Sequence, residues 1–118
     1  MVSLKTAFFQ CGDGIRFEPH PKYEGVKIAK LITKTECQKV GVSILILKPD
    51  TEIPIHVHEH EIDSIYVLSG RGEAFINGRH QEIGQGDYIF VPEAVPHGVR
   101  SSSDGELRLF IIHSPPIF

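Results

Sequence analysis

Short runs of β-forming residues, each cut off by Gly, Pro or a tight-turn dipeptide, follow one another along most of this 118-residue chain. That punctuation limits the fold more than any other feature, because it leaves little room for a helix and points to an all-β sandwich or barrel. Val26 to Thr33 reads as a first strand. Val40 to Lys48 reads as a stronger one, and from Ile44 to Leu47 it is apolar at odd and even positions alike, so both of its faces need cover. Pro49-Asp50 starts a turn, and Ile53 to His58 resumes the extended chain. Ser64 to Leu68 stops at Ser69-Gly70. Glu73 to Ile76 and Arg79 to Ile83 flank Asn77-Gly78, a hairpin signal because both turn residues tolerate positive φ. Gly84 to Asp87 turns again, Tyr88 to Val91 ends at Pro92, and His97 to Arg100 and Glu106 to His113 follow. About eight to ten strands at this spacing suit a jelly-roll, the double-stranded β-helix. In the first 25 residues Pro19, Pro21 and Gly25 argue against a regular element.

The length fits one domain, residues 1–118. A net charge of −3 with no basic patch gives no purchase on nucleic acid or an anionic membrane. No unbroken apolar run exceeds that of Ile44 to Leu47, far short of a membrane span. Met1 to Gln10 lacks the pattern of a signal peptide. The expectation is therefore a cytoplasmic protein whose two cysteines, Cys11 and Cys37, are reduced.

His56 and His58 are separated by one residue. On a strand both would point to one face, with Cβ atoms roughly 7 Å apart, and two imidazoles at that separation can converge on one ion. The surroundings sharpen this weak signal. Four residues separate His58 from Asp63, and six separate Asp63 from Gly70. Gly86 is followed by five residues, Pro92-Glu93-Ala94, two residues and His97. Together these stretches resemble the paired signature of the cupin superfamily. The first cupin motif reads Gly, five residues, His-x-His, three or four residues, Glu, six residues, Gly; the second reads Gly, five residues, Pro-x-Gly, two residues, His, three residues, Asn. The first motif falls on residues 50–70 and the second on 86–101, and the resemblance implies a small single-domain cupin with the jelly-roll fold.

Four positions depart from the signature. Asp50 stands for the first Gly, Ala94 for the Gly after Pro92, and Ser101 for the final Asn. The fourth is Asp63, where the family has a ligand Glu. The resemblance implies one divalent metal inside the barrel, held by His56, His58, Asp63 and His97, with Glu59 and Glu61 as rival carboxylates. Nitrogen ligands with one carboxylate suit Fe, Mn, Zn, Ni or Co. His60 is a possible added ligand or proton carrier at the barrel mouth; His80 reads as exposed, and His20 and His113 as packing or surface residues. Strand parity puts Ile65, Val67 and Val99 on the inner lining, whereas the facing of Phe75, Tyr88, Phe90 and Phe110 stays open.

By resemblance, the function expected is that of a metal-dependent enzyme on a small polar metabolite, of isomerase, dioxygenase, lyase or cyclase type. Small members of this kind resemble proteins that open or tautomerise sugar acids, and polyketide cyclases. His60, Glu61 and Tyr88 are candidate bases. The alternative is a non-catalytic module that binds a metabolite or metal. The doubly apolar strand at Ile44 to Leu47 leads to the expectation of a homodimer.

Overall fold

Strand alternation sets the architecture, and the computed structural model describes it for residues 7–118. Met1 to Thr6, and with them part of the signal-peptide reading, lie outside the described residues. The strands are β1 (Glu18–Pro19), β2 (Val26–Ile32), β3 (Gly41–Leu47), β4 (Glu52–His56), β5 (Ile62–Ser69), β6 (Arg71–Ile76), β7 (Arg79–Gly84), β8 (Tyr88–Val91), β9 (His97–Ser101) and β10 (Leu107–Ser114). They form a six-stranded sheet, β1-β2-β3-β10-β5-β8, facing a four-stranded sheet, β4-β9-β6-β7, with all pairs antiparallel. This is the all-β jelly-roll the sequence led one to expect. The first 25 residues hold more regularity than expected: a 3-10 turn at Gly12–Gly14, and β1, which pairs with β2 through Glu18↔Ile28 and Pro19↔Lys27. Pro19 is tolerated because β1 is the sheet edge, where a missing N–H interrupts no ladder.

The inward residues of the larger sheet stack in layers. Leu47 lies opposite Leu107 and Val26 in the deepest layer, and Leu45 opposite Leu109 and Ile28 in the next, where Leu109 also meets Val67. Ser43, Ile111 and Ile65 make the third layer, and Gly41, His113, Asp63 and Val91 the last. The first two layers are almost wholly dry: Ile28, Leu47, Val67 and Leu107 have no exposed surface. Each such side chain contributes roughly 1.5–3 kcal/mol by leaving water, so an apolar floor supports the polar end of the barrel. The other face of β3 carries Val42, Ile44 and Ile46, which accounts for its apolar run.

Two turns follow directly from their residues. At Asn77-Gly78 both φ angles are positive, 49° and 81°, which closes the β6–β7 hairpin with Ile76 opposite Arg79. Gly70 joins β5 to β6 at φ 88°, and its Cα lies against the main chain of Glu106 and Leu107. A side chain there would collide with the Glu106 carbonyl, so only glycine meets both demands.

Candidate metal centre

β4 delivers the first imidazole and the loop after it the second. Ile55 and Val57 turn outward, with 63% and 41% exposure, so His56 and His58 turn inward on alternate positions. His56 lies directly opposite His97 at the start of β9. The ring centroids of His56 and His97 are 4.3 Å apart, those of His56 and His58 4.8 Å, and those of His58 and His97 5.2 Å. Asp63, near the start of β5, is 4% exposed. Its Oδ2 lies 2.8 Å from Nε2 of His97 and 3.8 Å from Nε2 of His58. The donor atoms of His56, His58, Asp63 and His97 all lie within 4.8 Å of one another, a group that could hold a metal ion. Bonds of about 2.0–2.2 Å place the ligands of one ion roughly 3–4.4 Å apart, so a small inward movement suffices.

The imidazoles are oriented from behind. Nδ1 of His56 donates to the Pro54 carbonyl at 2.8 Å, and Nδ1 of His97 to the Val95 carbonyl at 2.9 Å. Each ring therefore spends its Nδ1 proton on the backbone two residues earlier and presents Nε2 to the centre. For His97 this creates a conflict. A neutral ring would aim a lone pair at the carboxylate oxygen 2.8 Å away. Without an ion, a second proton relieves it: burial disfavours the charged ring, but the Asp63 hydrogen bond, the Val95 carbonyl and the Asp63 charge together raise the His97 pKa above its ordinary value. His56 and His58 go the other way. Burial lowers both, against the opposing pulls of the Pro54 carbonyl and Asp63, and leaves them neutral at pH 7.

Burial alone would raise the Asp63 pKa, but His113 and His97 outweigh it and hold the carboxyl well below the usual carboxylate range. His113 is the residue the sequence reading missed. It is the cross-strand neighbour of Asp63 on β10, buried, with Nε2 2.7 Å from Asp63 Oδ1. That approach has ion-pair distance without hydrogen-bond alignment, and Oδ1 is buried with no aligned donor. The other oxygen, Oδ2, is turned toward His97 and His58, and a buried carboxylate among imidazole nitrogens fits a divalent cation.

Glu59, Glu61 and His60 lie outside this donor group, and His60 is exposed. The two glycine departures prove to be conformational. Asp50 and Ala94 both have positive φ, 55° and 60°, the region glycine enters freely. Asp50 pairs with Arg100, while the N–H of Ala94 donates to the His58 carbonyl at 2.8 Å and clips the two imidazole-bearing loops together. Ser101, in place of the final Asn, is buried, and its hydroxyl accepts from Thr51 N–H and donates to the Lys48 carbonyl.

A cavity of about 380 Å³ opens beneath the cluster, and most of its wall is aliphatic. Ile65 and Val99 line it as expected; Val67 lies a layer deeper, in the core. Phe75, Tyr88, Phe90 and Phe110 do not line it. Tyr88 and Phe90 are exposed because Ile89 and Val91 take the inward positions of β8, and the Tyr88 hydroxyl bonds to Ser64 on the outer face, which removes it as a candidate base. His20 and Tyr23, from the loop between β1 and β2, border the cavity instead, together with Phe118. Burial and the Asp63 charge raise the Tyr23 pKa.

Residues 43–113 match a family model described as Cupin domain. An uncharacterized protein of Methanocaldococcus jannaschii, MJ1618, is 28% identical over 114 residues, which span 96% of this chain and 82% of that protein. Among solved structures, the polyketide cyclase RemF from Streptomyces resistomycificus superposes with a TM-score of 0.80 at 22% identity, over 96% of this chain and 87% of that one. KdgF from Halomonas sp. superposes with a TM-score of 0.83 at 16% identity, over 93% and 94%. These likenesses show the fold.

Proposed function

This chain belongs to the cupin family, and we propose that it is a metalloprotein that holds one divalent ion through His56, His58, Asp63 and His97 and acts on an organic molecule in the adjoining cavity. The observation that carries this reading is the convergence of the four donor groups within 4.8 Å of one another, three imidazoles around the buried carboxylate of Asp63. Fe, Mn, Zn, Ni or Co suits the donor set, and such an ion, when bound, supplies Lewis acidity toward a carbonyl or carboxylate oxygen. The chain's own residues do the rest. His56 and His97 are held by carbonyls with Nε2 facing inward, His113 fixes the Asp63 carboxylate, and the aliphatic wall excludes water. That wall favours a molecule with an apolar body and an oxygen-bearing end over a wholly polar metabolite. The fold does not choose among isomerase, dioxygenase, lyase and cyclase chemistry. A non-catalytic binding module remains the second reading, since the same cavity would serve it.

The test is metal analysis of protein purified without chelator or a nickel column. The expected result is near-stoichiometric divalent metal in the wild type and loss of most of it in His97→Ala; full metal content in the variant would sink the assignment. The pH dependence has a definite sign. His56 and His58 are already neutral at pH 7, but the raised pKa of His97 means that an ion must displace a proton there. Affinity should climb as pH rises through the neutral range. Calorimetry in two buffers of different ionisation enthalpy should register proton release on binding.

We also infer a homodimer formed through the outer face of the six-stranded sheet. Tyr66 (45% exposed), Leu68 (38%), Tyr88 (58%) and Phe90 (49%) cluster there, with Tyr66 opposite both Phe110 and Tyr88. Sedimentation at micromolar concentration should give a dimer that Phe90→Asp dissociates, whereas a lone 13.2 kDa species in the wild type would exclude it. The free thiols of Cys11 and Cys37 support a cytoplasmic setting.

A further inference from the structure

The loop between β1 and β2 is built to hold one side chain over the cavity. The N–H of His20 donates to the Val26 carbonyl at 2.8 Å, which closes the loop at its base. Nδ1 of His20 then accepts the N–H groups of Lys22 and Tyr23 at 3.0 and 3.3 Å. The Tyr23 ring rests against the His20 ring, with centroids 4.7 Å apart, and lies 6.0 Å from the ring of His56. It packs on the core from one side and borders the cavity on the other.

Packing explains the ring but not the hydroxyl. Among the described residues none hydrogen-bonds to it, although a tyrosine with its ring in an apolar wall ordinarily finds a partner for its O–H. Phenylalanine would fill the same space. Of its neighbours in the loop, Nδ1 of His20 holds the loop itself, and the Lys22 ammonium lies over the Tyr23 ring, 5.7 Å from its centroid. A phenol keeps its proton at neutral pH, so the hydroxyl that this lining residue brings to the cavity wall is a donor.

We propose that Tyr23 is a substrate-contacting residue, whose hydroxyl donates to one oxygen of the bound molecule while a second oxygen of that molecule faces the cluster of His56, His58, Asp63 and His97. The substrate class follows: an apolar body carrying two oxygens a few bonds apart, as in a 1,3-diketone or a hydroxyketone. This deepens the function proposed above and rests on its reading of the cavity as the ligand site.

The experiment compares wild type and Tyr23→Phe, as full chains loaded with zinc, for binding of benzoylacetone, a 1,3-diketone with an apolar body, and of n-butylbenzene, which has the body without the oxygens. Tyr23→Phe should weaken benzoylacetone by about tenfold, the loss of one hydrogen bond, and leave n-butylbenzene affinity and zinc content unchanged. Equal benzoylacetone affinity in the two proteins overturns the proposal. So does a parallel loss of both probes, which marks Tyr23 as a packing residue, and so does a zinc-loaded wild type that takes no benzoylacetone. Failure of the metal assignment reads out separately, as absence of zinc from the wild type, and the same comparison on metal-free protein then still decides Tyr23.

Discussion

Asp63→Ala should weaken divalent-metal binding by at least about tenfold, the low end of what even supporting residues around a metal cost, and should destabilise the metal-free protein by about 3 kcal/mol. The first effect follows from its position among the donors, and the second from its role without an ion. Its carboxylate lies 2.8 Å from His97 and 2.7 Å from His113, all three groups buried. Removing the carboxylate leaves the His97 imidazole, whose pKa it helps to raise, without its counter-charge in a buried site; the figure sits at the lower end of the usual range because that imidazole can shed its proton. The pH behaviour has two arms. Asp63 has a depressed pKa in the fold, so its contribution is complete above the unfolded value of about 3.9 and is lost as pH falls through the folded one. His97 has a raised pKa, so its contribution is complete below about 6.5 and is lost as pH rises through the folded value. These two contributions together peak on the acid side of neutrality, opposed by His56 and His58, whose lowered pKa values favour higher pH, and Asp63→Ala should flatten both arms. Urea unfolding across pH measures the stability, and competition with a chelator measures the affinity. Glu61→Ala is the control, because Glu61 stands outside the donor group; loss of metal there with unchanged affinity in Asp63→Ala would reverse the assignment.

Gly70→Ala should cost about 2–5 kcal/mol. A left-handed backbone at a non-glycine residue accounts for about 1–2 kcal/mol of that, and overpacking for about 1–3. Gly70 has φ 88°, and an added Cβ would run into the Glu106 carbonyl and come within 3.0 Å of Leu107 Cα. Leu107 is completely buried and belongs to the deepest layer, so the strand cannot retreat without opening the core. Gly105→Ala, one residue before Glu106, meets nothing within 4 Å and should be neutral. A Gly70→Ala protein that unfolds within 1 kcal/mol of wild type would show that the corner relaxes.

The strands from β2 onward and the clustering of the four candidate donors were legible because their signals are local. Turn dipeptides fix where strands stop, and the counts from His58 to Asp63 to Gly70 and from Gly86 to His97 fix register within one stretch of chain. His113 was legible in principle, since Leu107, Leu109 and Ile111 alternate into the core and parity carries His113 with them. Its meaning lay in the pairing Asp63↔His113, which no local count contains. The facing of Tyr88 and Phe90 was undecidable while every residue of β8 was apolar; the inward turn of Ile89 and Val91 onto the cavity decided it. Tyr23 had no signal at all, because its placement depends on β1 pairing with β2 and on the loop lying over a cavity made by distant strands.

The donors span residues 56 to 97, and the residue that steadies their carboxylate is residue 113. An unfolded chain offers a metal little beyond the His56–His58 pair, so an ion bound as proposed would act almost wholly on the finished structure. Its stabilisation then grows with free metal concentration, reaching about 2.7 kcal/mol at a hundredfold excess over the dissociation constant. Contacts so far apart in sequence close late in folding, so the ion gives little help on the way up the barrier and holds the chain back on the way down. Stopped-flow measurements should show folding rates indifferent to metal and unfolding rates that fall as metal is added. In this fold an ion held by these residues would act as a latch, set after the barrel has closed.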